Sequence, residues 1–155
     1  MLGELYAKLP TLASEMRLLA AGARMHERVN ALVALSSYPT TDLHFELLPR
    51  LLRDRSGRVR ALAADKIVSH GMRQLASVLG AAAAQETDVK VRAELRADLD
   101  YLIQGFHVDR RDEGIHVTCR PPRWSSISRF FTADQFDCEG KAWIEGVLKE
   151  ASNEV

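Results

Sequence analysis

The chain has 155 residues and a mass of 17.3 kDa, the length of one domain and enough to bury roughly 70% of the surface exposed on unfolding. Hydrophobic residues make up 46% and charged residues 27%, close to soluble globular averages, which excludes wholesale disorder. Twenty-one Lys and Arg balance twenty-one Asp and Glu, so the chain as a whole is not a polycation built for nucleic acid, although it has room for a local basic patch.

Nine Gly and five Pro exclude collagen-like and linker-like compositions, and no apolar stretch approaches the ~20 residues that span a bilayer. The amino-terminal MLGELYAKLP carries charge where a signal peptide needs its greasy segment. A cytoplasmic protein with no membrane partner is expected. Two cysteines, Cys119 and Cys138, suit a reducing compartment better than a disulfide scaffold. Charge is shared unevenly, +3 over residues 1–60, −1 over 61–105 and −2 over 106–155.

Helical periodicity dominates the first two thirds. The stretch MRLLAAGARMHERVNALVALSSYP reads as a helical pair, with Leu18, Leu19 and Met25 ahead of Val29, Leu32, Val33 and Leu35. From Thr41, a candidate cap together with Asp42, Phe45, Leu48, Leu51 and Leu52 form one stripe at three-and-four spacing. Asp54, Arg55, Ser56 and Gly57 break it, because Gly favours turns and Ser is a good cap for a new helix. Val59, Leu62, Ala63 and Ile67 then mark a second helix, and so short a turn predicts antiparallel packing. Leu75, Val78, Leu79 and Ala82 lead to the polar turn at residues 85–88. Beyond it Val91, Leu95, Leu99, Leu102, Ile103 and Phe106 predict a helix over about 88–104. Val59-Arg60-Ala61 and Val91-Arg92-Ala93 open the second helices of these two pairs and stand 32 residues apart, a repeat signal.

FELLPRLLRDRSGRVRALAADKIV resembles a HEAT-type repeat: a Leu-Pro first helix, an acidic turn, then Val-Arg and small residues. ETDVKVRAELRADLDYLI resembles the second half of another copy, and the 32-residue period is nearest the short HEAT-like repeats of phycobilisome-lyase-type proteins. The resemblance covers residues 41–105 well, 1–40 loosely, and 106 onward not at all. It implies an inward Val and an Arg tying neighbouring repeats, so that Arg60 and Arg92 are structural, with Asp54 and Glu86 or Asp88 as partners. It bears on architecture and not on activity, since such repeats serve scaffolds and enzymes alike.

The last third does not repeat. Residues 107–113 read as a polar linker. Ile115, Val117 and Cys119 alternate with polar neighbours as a short strand, ended by Pro121 and Pro122. The stretch WSSISRFFT is expected to return as the second strand of a hairpin, pairing of 115–119 with a second copy of the chain being the alternative. Thr132 and Gln135 have capping-box spacing, and Ile144, Val147, Leu148 and Ala151 predict a helix over about 138–151 that caps the stack.

Arg50, Arg53, Arg55, Arg58 and Arg60 form the most suggestive cluster for function, with Asp54 the only acid among them. Three readings fit it: phosphate or nucleic acid, an acidic protein partner, or an internally paired face. His107, His116, Cys119 and Cys138 are the only metal-ligand candidates, and the two-residue gap between His116 and Cys119 puts them on opposite faces of a strand. Glu94 and Asp98 share a helix face, read as solvated because Arg92 and Arg96 flank it. No nucleophile elbow, zinc helix or phosphate loop is present, so neither a cofactor nor an enzyme is expected. Arg120, Arg123, Trp124, Phe130 and Phe131 combine residue types enriched at interface hot spots.

The expected architecture is all-α: an α-solenoid-like stack of about three antiparallel pairs, with a small non-repeat cap of a hairpin and a helix. Residues 1–106 form the repeat region and 107–155 the cap of a single domain. The expected function is non-enzymatic macromolecule binding, as an adaptor or a neutralising, toxin-immunity-like partner, through Arg53, Arg55, Arg58, Arg123 and Trp124. The alternative is nucleic-acid binding by the arginines of residues 50–60.

Overall fold

A computed structural model of the chain describes residues 2–37, 41–120 and 126–153. Six helices come first, as three pairs on short turns: α1 (Leu2–Ala20) with α2 (Met25–Ser36), α3 (Asp42–Leu51) with α4 (Gly57–Ser69), and α5 (Ala76–Gln85) with α6 (Val89–Gln104). Most of the residues at three-and-four spacing turn inward, but Leu18, Met25, Val33, Phe45 and Ile103, expected in the same stripes, are exposed. Leu47, Leu48 and Leu51 on α3, Val59, Ala63 and Ile67 on α4, and Leu95 and Leu102 on α6 are buried in one core.

The second helices α2, α4 and α6 pack side by side in chain order, and each first helix leans on its own partner. The spacing of 32 residues runs through all three pairs. Arg24, Ser56 and Asp88 occupy the N-cap positions of α2, α4 and α6, and Ala31, Ala63 and Leu95 are each fully buried. Val59 and Val91 both lie in the core, as the alignment of the two pairs requires. Gly57, opening α4, lies so near Val91 that a Cβ there would come within 2.8 Å of its Cγ2. His44 is fully buried and satisfied: it receives the Thr41 N–H at Nδ1 (3.3 Å), which leaves Nε2 to donate to the Leu35 carbonyl at 3.1 Å. Burial pushes its pKa down, so it is a neutral core histidine.

Beyond α6 the chain turns at Gly105, whose positive φ of 83° closes the helix as glycine readily does. A three-stranded antiparallel sheet follows, β1 (Phe106–Arg111), β2 (Gly114–Cys119) and β3 (Ile127–Phe131), in the order β1-β2-β3. Two expectations are corrected here. Residues 107–113 are not a linker: 107–111 belong to β1 and 112–113 to the two-residue turn after it, so the cap holds three strands where a two-strand hairpin was expected. The alternation was masked because β1 is a half-solvated edge strand carrying His107, Asp109, Arg110 and Arg111. Residues 115–119 also cannot pair with a second copy of the chain, because β2 is the central strand and both its sides are hydrogen-bonded within the molecule.

Ile115, Val117 and Cys119 face a second core with Phe131, Ile144 and Val147. A capping box forms as its spacing predicts, Gln135 N–H donating to Thr132 Oγ1 at 3.3 Å and Thr132 N–H to Gln135 Oε1 at 3.0 Å. It opens the short helix α7 (Ala133–Gln135), which continues through a π turn at Phe136–Gly140 into α8 (Lys141–Asn153). Helix α8 lies on the buried face of the sheet, where Trp143 meets the Phe131 ring edge-on at 5.7 Å. The fold is therefore mainly α with a small β cap. No helix among the described residues is long and apolar enough to cross a membrane.

Gly114 turns β1 into β2 with φ at 148°, and a Cβ there would sit 2.6 Å from the Phe131 carbonyl oxygen and against the Phe130 ring. Gly114→Ala is expected to cost about 1–3 kcal/mol in backbone strain before the clash is counted. The check is hydrogen exchange: amides of residues 106–119 should exchange faster while those of α3 and α4 are little changed.

Candidate functional site

The turns joining each pair lie along one edge of the helical stack, where they are tied together by arginine. Arg28, Arg60 and Arg92 stand 32 residues apart. Each donates from Nη1 to the carbonyl six positions earlier: Arg28 to Gly22 at 2.9 Å, Arg60 to Asp54 at 2.7 Å and Arg92 to Glu86 at 3.4 Å. The first two also clamp the acid of the following turn in a bidentate pair. Arg28 reaches Asp54 through Nε and Nη2 at 2.6 and 3.0 Å, and Arg60 reaches Glu86 at 2.5 and 2.8 Å. The hydrogen bond from Arg60 holds the Glu86 carboxyl below its usual range. Burial works against Asp54, but the bonds from Arg28 and from the Ser56 N–H outweigh it and keep that carboxyl low as well. Arg60 thus pairs with Glu86, one of the partners the resemblance implies, and touches Asp54 only through its carbonyl. Arg28 escaped the sequence reading because Glu27 and Val29 flank it, hiding the Val-Arg-Ala motif.

On the face of the second helices a groove of about 680 Å³ opens between α4 and α6. The two helices run in the same direction, Gly57 lying against Val91 at one end while Asp65 and Asp98 meet Arg120 at the other. Ala61 and Leu62 from α4 and Ala97 and Tyr101 from α6 make its apolar lining, with Arg58 and Lys90 near the helix starts. Asp88 lies beside those two cations at the start of α6, and Asp65, Glu94 and Asp98 lie farther along, toward the far end, so two cations and one acid at one end give way to three carboxyl groups.

Arg120, just past β2, closes that far end. Its backbone N–H donates to the Gly105 carbonyl at 2.8 Å, its Nη2 donates to Asp65 at 2.6 Å, and its Nη1 stands 3.5 Å from Asp98. One guanidinium therefore fastens the cap to α4 and α6 together. Asp98, only 9% exposed, is pushed up to about 7 by burial, with Asp65 and Glu94 adding to the shift and Arg120 opposing it. Burial also acts on Asp65, but Arg120 and Lys66 outweigh it and hold that carboxyl low. The expectation of a solvated Glu94–Asp98 face is corrected for Asp98: the turn that carries it inward also places it under the cap, a tertiary contact with no mark in the helix period.

The structure separates the arginines of residues 50–60. Arg60 belongs to the clamp on Glu86, Arg55 donates to the Ala23 carbonyl, and Arg58 lines the α4–α6 groove. Arg53 lies on the turn edge, facing other depressions than Arg58 does. Of the aromatic set, Phe131 is core and Phe130 is 49% exposed, while Arg123 and Trp124 lie outside the described residues. Cys119 is buried and Cys138 exposed. His107 bonds Asp100 at 2.7 Å, and among the described residues no three metal-ligating side chains gather. Comparison with known proteins finds no matching family model, no matching curated protein and no matching solved structure.

Proposed function

We propose that the chain is a non-enzymatic, cytoplasmic macromolecule-binding protein, an adaptor or a neutralising partner of the immunity type, that holds a segment of another protein on the face formed by α2, α4 and α6. The reading treats the three pairs as a HEAT-like α-solenoid. The run of Arg28, Arg60 and Arg92 at one register supports that, because solenoid repeats contact their neighbours through equivalent residues. The α4–α6 groove is the observation that carries the function. Its lining has small apolar side chains and no Ser, Thr, Cys or His to act as a nucleophile. A fitting segment presents small apolar residues along the middle and an acidic residue beside Arg58 and Lys90, with a basic one toward Glu94.

The test is affinity capture from the native cytoplasm after nuclease treatment, with groove-filling variants for comparison. Ala61→Glu and Ala97→Glu place a charge in the groove, whereas Ala93→Glu, exposed on α6 outside it, is the control. A protein retained by the unmodified chain and by Ala93→Glu should be lost from both groove variants. Equal recovery on all three, or recovery that vanishes with nuclease, would overturn the proposal.

A further inference from the structure

We propose that the depression between the α1–α2 turn and the α3–α4 turn is a binding site for a single phosphate group. It is separate from the α4–α6 groove and does not depend on what that groove holds. About 460 Å³ in volume, it is lined by Ala20, Ala21, Gly22 and Ala23 on one side and by Arg50, Leu51, Arg53, Asp54 and Arg55 on the other, with Arg28 between them. Four arginines face one carboxylate, a formal charge of +3 in a chain whose total is zero.

The one acid does not neutralise the exposed cations. Asp54 spends both carboxylate oxygens on Arg28 and on the Ser56 N–H, at 2.6–3.0 Å. Arg50, Arg53 and Arg55 are exposed. Arg55 is anchored by its bond to the Ala23 carbonyl on the opposite wall. Among the described residues Arg50 and Arg53 make no side-chain hydrogen bond; Arg50 acts electrostatically on Glu46, whose oxygens are bonded to Arg17, so the N–H donors of Arg50 and Arg53 are free for a ligand. Three guanidinium groups round one small depression repel one another, and a dianion relieves that repulsion while accepting their forked donors.

The extent of the charge selects one phosphate over a polymer. A nucleic-acid backbone needs cations along its track. One repeat further on, the positions matching Arg50, Arg53 and Arg55 are Ala82, Gln85 and Thr87, and one repeat back they are Leu18, Ala21 and Ala23. The neighbouring depression on that edge is lined by Val78, Ala81, Ala82, Gln85, Glu86 and Thr87 with Arg53 and the Arg60–Glu86 pair. Arg53 borders both depressions, but Arg50 and Arg55 line only the first, so the free positive charge centres on one inter-turn space. A phosphate monoester fits it, whether on a small molecule or on a phosphorylated side chain.

Calorimetric titration at constant ionic strength, using glycerol phosphate, a phosphoserine peptide, sodium chloride and a DNA duplex, tests this. Saturable binding of the ester is expected, strengthening as pH rises through about 6, where its second proton leaves. Arg50→Gln with Arg53→Gln should weaken it at least tenfold without moving the thermal transition in phosphate-free buffer, and Arg58→Gln should leave it unchanged. A peptide binding over tenfold tighter than the ester identifies a phosphoprotein as the source, and equal affinities identify a small phosphate ester. Chloride reproducing the signal, or the double variant binding as well as the parent, would overturn the site. So would a duplex that binds tighter than the ester, with the steep salt dependence of many phosphate contacts.

Discussion

Arg60→Ala is expected to lower stability by about 3 kcal/mol, the low end of what removing one partner of a buried ion pair costs. Glu86, whose side chain is 3% exposed, would lose its bidentate donor while keeping its charge, and the Asp54 carbonyl would lose the Arg60 Nη1–H. Thermal unfolding reads this as roughly 6–12 °C, at about 2–4 °C per kcal/mol for a chain of this size. Two comparisons show whether an uncompensated charge is the cause. Arg92 occupies the matching position with one 3.4 Å bond to a carbonyl and no carboxylate clamp, so Arg92→Ala should shift Tm by no more than a degree or two. Arg60→Met combined with Glu86→Leu removes both charges and should recover most of the loss. An equal effect of Arg60→Ala and Arg92→Ala would mean that the clamp across the turns contributes nothing particular.

Asp98→Asn is expected to move stability the other way. The Asp98 carboxyl titrates at about 7 in the fold against 3.8 for the unburied group. Between those values the folded chain holds a proton that the unfolded chain has lost. Stability therefore rises as pH falls from about 8 toward 4. At ~1.4 kcal/mol per pH unit that limb is worth roughly 4 kcal/mol at most. Asp65 on α4, Glu94 and Tyr101 on α6, and Arg120 of the cap are the groups that face it, Lys66 acting on Asp65. Asp54, Asp65 and Glu86 are held low, so the stability they supply is lost only below their ordinary values near pH 4. His44, held neutral by burial, opposes this limb below its ordinary value of 6.5, where the unfolded chain takes up a proton that the fold refuses. Tm should thus climb from pH 8 to about 6.5 and fall in strong acid. In Asp98→Asn the first limb should flatten, with Tm at pH 8 several degrees above the parent; persistence of that limb in the variant would assign it to another group.

Where burial follows the chain's own period, the sequence reading reaches the fold. Leu48, Leu51 and Leu52, then Val59, Ala63 and Ile67, repeat at three and four, and the structure turns them inward, leaving only Phe45 of the α3 stripe exposed. The alternation of Ile115, Val117 and Cys119 likewise locates β2. The features that were missed depend on neighbours far along the chain. Edge strand β1 has polar side chains because only one of its sides is paired, so its pattern resembles a loop. Asp98 looks like a solvated acid until Arg120, twenty-two residues later, covers it. The arginines of residues 50–60 lie close together in sequence, yet a turn and a helix start send them in different directions, and only the folded chain shows which are already spent. The α4–α6 groove has no sequence mark, being the gap left where small residues such as Ala61 and Ala97 face each other.

The open sides of β1 and β3 bear on how concentrated solutions of the molecule behave. With no net charge, long-range repulsion between molecules is at its weakest, the condition under which proteins associate and precipitate. The exposed strand borders are where cross-β growth would begin. Asp109, Arg110 and Arg111 on one border and Arg129 on the other make a second strand costly to add, so local charge guards against fibre formation where the global balance gives none.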